Sequence, residues 1–183
     1  MQTEVIMAGF GGQGVITAGY LLAQAALAEE REVTWLPSYG PEMRGGTANC
    51  TVVVGDEPIG SPLVSAPKVA VVMNRPSLEK FAPKLKPGGL LVVDSCLIPI
   101  RSDRTDIREF RIRADDLAVS AGSRKGANLA MLGALLGILP LVSRETAEKI
   151  IGKHFAKKPQ FIESNLQAFL LGFEQAKAGK SDE

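Results

Sequence analysis

The chain has 183 residues, with 21 lysines and arginines against 20 aspartates and glutamates and a hydrophobic fraction of 45%. A chain of this length and balance buries a sizeable core, and its near-cancelling charge offers no electrostatic footprint for nucleic acid. Two cysteines, Cys50 and Cys96, and one histidine, His154, are too few to complete an iron–sulfur cluster or a tetrahedral zinc site.

The opening residues, MQTEVIMAGFGGQGV, lack the basic start and apolar stretch of a signal peptide. The most apolar later stretch, residues 129–142, is shorter than a membrane span and contains Pro140. The expectation is a cytoplasmic protein without a membrane partner, in which both cysteines are small buried apolar residues.

In chain order, residues 5–8 form an apolar run that reads as a strand and ends at the glycine cluster of residues 9–14. Residues 15–28 are apolar on nearly every side, so a mostly buried helix follows the turn. Residues 33–36 read as a second strand and the β-branched residues 47–54 as a third, with a loop rich in turn formers between them. Residues 68–73 and the doubly apolar residues 90–94 read as buried strands. Between them Ser77 is expected to cap a short helix through Leu85. Residues 107–112 alternate apolar and charged, which places them at a sheet edge.

From Ala114 onward the texture becomes helical. Helices are expected over residues 127–139 and 143–155, then from Pro159 to Ala178, with residues 179–183 frayed. The fold class that follows is α/β: a Rossmann-like, mostly parallel sheet with helices on both faces and a helical C-terminal part.

Gly9, Gly11 and Gly14 match GxGxxG as a bare pattern. Such a turn lets backbone approach a phosphate at a helix start, but it serves equally as a tight strand-to-helix connection. A dinucleotide site also calls for a carboxylate about 20 residues on, at the tip of the second strand. Here that strand ends in Leu36, Pro37 and Ser38. The second loop, residues 38–46, carries Glu42, Met43 and Arg44. Arg44 could grip a phosphate or carboxylate, or pair with Glu42 and fix the loop, and Tyr39 and Met43 could be interface contacts.

The run GFGGQGV at residues 9–15, followed by SYGPEMRGGT at residues 38–47, resembles the signature pair of the gamma subunit of 2-oxoacid:ferredoxin oxidoreductases. GANLAMLGA at residues 126–134 and NLQAF at residues 165–169, with Gly172, are similar to two further segments of that family, in order. The resemblance implies one gamma-type domain over residues 1–183 of a multi-subunit enzyme of the EC 1.2.7 class. That enzyme decarboxylates a 2-oxoacid oxidatively with coenzyme A, giving acyl-CoA, carbon dioxide and reduced ferredoxin. Overall similarity leans toward 2-oxoglutarate, with branched-chain oxoacids and pyruvate behind.

The resemblance further implies alpha and beta subunits as partners, with a delta subunit in some complexes, and contact with ferredoxin through the complex. Thiamine diphosphate with magnesium and the iron–sulfur clusters would sit on those subunits, none on this chain alone, and no residue here would be catalytic. Gly11, Gly12, Gln13 and Gly14, with Glu42, Met43 and Arg44, would form a surface toward the partners and coenzyme A. An orphaned partner surface would favour a homodimer in isolation. An indolepyruvate ferredoxin oxidoreductase beta subunit is a close alternative, and a stand-alone nucleotide-binding enzyme a more distant one.

Four further features stand out. Asn128, in an apolar helix, would satisfy a loop's backbone or touch ligand. Residues 123–126, SRKG, would attract coenzyme A phosphates or be solvated surface. His154, near a helix end, suits the helix dipole. Asp94, ending a strand, suits a loop cap or a functional carboxylate.

Overall fold

The computed structural model describes residues 2–39 and 46–182. The first strand, β1 (Gln2–Phe10), runs through the glycine turn into α1 (Val15–Ala28), which leads to β2 (Glu32–Tyr39), and β3 (Thr47–Gly55) runs back alongside β2. There follow β4 (Val69–Val72), α2 (Arg75–Phe81), β5 (Leu90–Asp94), β6 (Arg108–Ile112) and α3 (Ala114–Ser120). The chain then continues through α4 (Ala127–Ile138), α5 (Arg144–His154) and α6 (Ile162–Lys177).

The six strands form one sheet in the order β2-β3-β1-β4-β5-β6. Strands β1, β4, β5 and β6 are parallel, and β3 runs antiparallel to both β1 and β2. Side chains of successive strand residues point to opposite faces, and here both faces are covered. Val5, Met7, Val71 and Val92 join a core with α1, α4 and α6, while Ile6, Ala8, Val72 and Leu91 join a smaller core with α2. That double burial is why these strands read as continuous apolar runs.

Local chemistry corrects several expectations. The cap of α2 is Asn74, whose Oδ1 accepts the Ser77 N–H at 2.8 Å; Ser77 lies inside the helix. A start at Asn74 puts Pro76 in the first turn, where its missing N–H costs nothing. Pro159 opens a 3-10 turn, Pro159–Phe161, and α6 proper begins at Ile162. Cys50 is fully buried as expected, with its thiol pushed up to about 12 by burial, but Cys96 is only half-buried.

The tail expected to fray is anchored instead. The Arg111 N–H donates to Ser181 Oγ at 2.9 Å, and the Asp182 N–H donates to the Arg111 carbonyl at 2.9 Å. The free edge of β6 has unpaired backbone groups, and the tail satisfies some of them. Helix α3 has no counterpart among the expected elements: seven residues are too few to show a period. Asp115 and Asp116 in its first turn suit the positive end of its dipole.

Candidate functional site

After β1 the chain crosses toward β2, and after β4 it crosses the other way toward β5. The carboxyl ends of β1 and β4 therefore flank the switch point of the sheet, where ligands of open α/β folds gather. The glycine turn sits there. Gly12 and Gly14 have φ of 98° and 77°, in the left-handed region that disfavours side chains. Gly14 is also the N-cap of α1, and a Cβ on it would lie 2.5 Å from Asn128 Nδ2.

Three side-chain hydrogen bonds hold the turn. Gln13 Oε1 accepts the Phe10 N–H at 2.6 Å, and Gln13 Nε2 donates to the Met73 carbonyl at 3.0 Å. The Gln13 side chain thus spans the gap between the ends of β1 and β4. From the other side, Asn128 Nδ2 on α4 donates to the Gly14 carbonyl at 3.0 Å. Of the two readings for Asn128, its amide N–H satisfies the loop's backbone, but its Oδ1 is buried without a hydrogen-bond partner.

A cleft of about 660 Å³ opens over Gly12, Gln13 and Gly14. Met73 and Leu97 give it apolar lining, and Asp115, Arg124 and Lys125 give it charge. Arg124 lies 3.5 Å from Asp115. Residues 123–126 are thus exposed at Arg124 and Lys125, as surface would be, yet both side chains line the cleft. His154 is exposed near the end of α5, with its ring 6.0 Å from that of Tyr20.

Of the sequence-derived surface, the structure gathers Gly11, Gly12, Gln13 and Gly14. Glu42, Met43 and Arg44 lie outside the described residues. The described ends of their loop open beside the glycine turn: Phe10 pairs with Thr47, and the Gly11 N–H donates to the Gly46 carbonyl at 2.9 Å. The sequence singled out Gln13 but not its role as a strut, because its second partner, Met73, lies 60 residues away.

The strand order bears on dinucleotide binding. In a dinucleotide fold the second strand lies beside the first and carries the ribose carboxylate at its tip. Here β3 lies between β1 and β2 and runs the opposite way, so β1 has a strand start, Thr47, next to its end. The strand beside β1 on that side therefore presents no carboxyl end to the glycine turn. The two cysteines do not fit a cluster either: one is sealed in the core, and the described residues contain no group of three or more metal-ligating side chains. Among the described residues no helix is long and apolar enough to cross a membrane.

Asp94, at the end of β5, is a loop cap. Its Oδ1 accepts the Cys96 N–H at 3.1 Å, and its Oδ2 is buried without a hydrogen-bond partner. Burial, with the charge of Asp115 adding, raises its carboxyl to about 6. The folded state therefore keeps this proton to higher pH than the unfolded chain. Between about pH 4 and 6 the unfolded state binds fewer protons, so stability falls as pH rises through that window. Asp94→Asn is expected to remove that slope and gain on the order of 2 kcal/mol at pH 7.5 relative to pH 4. Urea unfolding of both proteins across pH 4–8 checks it, and parallel pH profiles would refute it.

Comparison with known proteins comes down on one family. Residues 4–175 match the family described as pyruvate ferredoxin/flavodoxin oxidoreductase. The chain is 39% identical over 177 residues to the ketoisovalerate oxidoreductase subunit VorA of Methanothermobacter thermautotrophicus, covering 96% of this chain and 37% of that one. It therefore spans little more than a third of that relative's length. It is 37% identical to the 2-oxoglutarate synthase subunit KorC of Methanocaldococcus jannaschii, covering 97% of this chain and 95% of that one.

Two solved structures share its fold. One is a keto/oxoacid ferredoxin oxidoreductase gamma subunit from Geobacter sulfurreducens, with a TM-score of 0.85, 31% identity, and coverage of 97% of this chain and 98% of that one. The other is a 2-oxoglutarate:ferredoxin oxidoreductase from Magnetococcus marinus with 2-oxoglutarate, coenzyme A and succinyl-CoA bound. It gives a TM-score of 0.89 and 26% identity, covering 100% of this chain and 32% of that one.

Proposed function

Because the chain belongs to the pyruvate ferredoxin/flavodoxin oxidoreductase family, we propose that it acts as the gamma-type subunit of a 2-oxoacid:ferredoxin oxidoreductase. The observation that carries this reading is the near end-to-end match with a gamma subunit that is a chain of its own. In such an enzyme thiamine supplies the carbanion chemistry and clusters carry electrons, while the protein supplies placement. The described residues of this chain suit placement. Gln13, Asn128 and the Gly11–Gly46 bond make a stiff turn at the switch point. A stiff turn can present backbone to a partner or to a bound coenzyme without an ordering cost.

We assign the partner-facing and coenzyme A-facing surface to Gly11, Gly12, Gln13 and Gly14 together with Glu42, Met43 and Arg44. The 2-oxoacid we propose is 2-oxoglutarate. A relative of that name is matched over 95% of its length, whereas the ketoisovalerate subunit is matched over 37% of its own. The remaining partners would be thiamine- and cluster-bearing subunits in the cytoplasm.

The test is affinity purification of the tagged chain from its native cells, with an assay of 2-oxoacid- and coenzyme A-dependent dye reduction. The expected result is co-purified activity that prefers 2-oxoglutarate. A lone, inactive chain would refute the subunit role, and a preference for another oxoacid would refute the substrate. In the assembled enzyme, Arg44→Ala is expected to raise the apparent KM for coenzyme A or impair assembly; no change in either would remove Arg44 from the surface.

A further inference from the structure

The sheet has two edges, β6 and β2, and the chain treats them differently. The tail bonds to Arg111 and covers part of the β6 edge. On β2 the direction of each backbone group follows from the register. In an extended strand a residue's N–H and C=O point to the same side, and successive residues alternate. The Ala8 carbonyl of β1 accepts from Met73 on the β4 side, and the Gly11 N–H donates to Gly46 on the β3 side. The odd-numbered residues of β1 therefore face β3. Carried across the sheet, the pairs that bond β2 to β3 are Thr34–Val53, Leu36–Thr51 and Ser38–Asn49. Val33, Trp35, Pro37 and Tyr39 are left facing outward. Pro37 fits this direction, because proline has no N–H to give to a ladder. Among the described residues nothing bonds the outward N–H and C=O groups of Val33, Trp35 and Tyr39.

The side chains at this edge are apolar as well. Tyr39 is 65% exposed, Leu36 is 40% exposed, and Tyr20, whose ring meets that of Trp35, is 36% exposed. Natural edge strands are usually blunted by charge, by a bulge or by a cover. Glu32 is the only charged residue of β2, and it stands at the first position. All six strands of the described residues already have their places in the sheet, so a strand that covers β2 comes from another molecule.

We propose that the free edge of β2 pairs antiparallel with β2 of a second copy of this chain, about a two-fold axis at Leu36, joining two sheets into one. The strand is its own complement. In this register Val33 lies opposite Tyr39 of the second copy and Trp35 opposite Pro37 of the second copy. Every outward N–H then meets a carbonyl, and the one absent donor is that of Pro37. Any other register leaves Val33 or Tyr39 beyond the end of the opposing strand. At the axis the exposed Leu36 meets its own copy in a non-hydrogen-bonded pair, where side chains approach most closely. Glu32 meets no acidic residue of the opposing β2. The pairing does not use the glycine turn and needs no other subunit, so its failure would leave the subunit reading untouched, and the reverse.

The experiment is sedimentation velocity of the full chain alone at about 1–200 μM. The expected result is a reversible dimer of twice the 19.4 kDa chain mass. Leu36→Lys sets two ammonium groups against each other at the axis, and Tyr39→Pro removes an outward donor from each copy. Each is expected to weaken the dimer on the order of tenfold. The Leu36 side chain is exposed and the Tyr39 N–H faces away from β3, so the circular dichroism of both variants should match the parent. Leu36→Cys is expected to cross-link two copies under mild oxidation, because such a pair brings the Cβ atoms within disulfide reach. Leu63→Cys, at a position 76% exposed and away from β2, is the control and should cross-link far more slowly. A monomer throughout that range, or a dimer indifferent to both Leu36→Lys and Tyr39→Pro, overturns the proposal. A monomeric chain that loses its co-purifying subunits on Tyr39→Pro would assign the edge to a strand of those subunits and overturn self-pairing as well.

Discussion

Gly133→Ala is expected to bring the protein close to global unfolding. A Cβ at this position would lie 2.0 Å from the Phe169 carbonyl oxygen and 2.9 Å from the Phe173 nitrogen, both backbone atoms of α6. The contact is reciprocal: a Cβ on Gly172 would lie 2.0 Å from the Ala130 carbonyl oxygen of α4. The two helices meet backbone to backbone, so no rotamer change relieves the clash, and the axes must separate. Separation opens the packing around Phe169, Leu132 and Leu135, each 0–1% exposed.

Overpacking of a rigid contact, with the cavities that follow, is expected to cost about 3–5 kcal/mol, a large share of the stability of an ordinary domain. Urea unfolding followed by circular dichroism measures it. Gly152→Ala, on α5 with nothing within 4 Å of the added Cβ, is the control and should gain about 0.5–1 kcal/mol from helix propensity. A Gly133→Ala protein within about 0.5 kcal/mol of the parent would show that α4 and α6 can part freely.

Arg111→Met is expected to destabilise by about 3–5 kcal/mol, because it strips a buried network of its cation. The Arg111 side chain is 4% exposed. It donates to the Ile100 carbonyl at 2.8 Å, to Glu109 Oε1 at 3.0 Å, and to the Ile98 carbonyl. Methionine fills much of the volume but leaves Glu109, 12% exposed, and two carbonyls without that donor. Arg111→Lys should fare little better, since one ammonium cannot reproduce a planar fork aimed at three oxygens.

Glu109→Gln keeps an acceptor for the guanidinium and should cost about 1 kcal/mol. The loop that Arg111 pins contains Leu97, which lines the cleft over the glycine turn, so Arg111→Met should also speed amide exchange there. Equal stability of the Met and parent proteins would show that the Arg111 network contributes nothing to the folded state.

The elements that were legible share one property: their evidence is local. The apolar runs at residues 5–8 and 90–94 and the buried helix at residues 15–28 announced themselves because each is sealed by protein on most sides. Residues 107–112 announced an edge because charged residues interrupt the apolar run, although Arg111 among them is buried. Misreadings came where local signals compete. Ser77 and Asn74 are both good caps, and Pro76 decides between them by fitting only inside the first turn. The tail beyond Gly179 has no apolar residue to hold it, yet the unpaired edge of β6 does.

For the candidate site, the glycine turn and the absence of a ribose carboxylate were readable from the chain alone. Its recognisable motifs, GFGGQGV foremost, were enough to bring its family within reach. Only the tertiary structure decided what the turn is made to do. Strand β3, inserted between β2 and β1, removes the dinucleotide geometry, and no pattern within β3 states which strand it will pair with. Gln13 becomes a strut because Met73 arrives beside it from 60 residues away, and the Asn128 amide reaches the Gly14 carbonyl from 114 residues away. Secondary structure follows from backbone preferences and side-chain period, which neighbours in sequence set; a site follows from which surfaces share burial, and that is settled only when the whole sheet closes on its two cores.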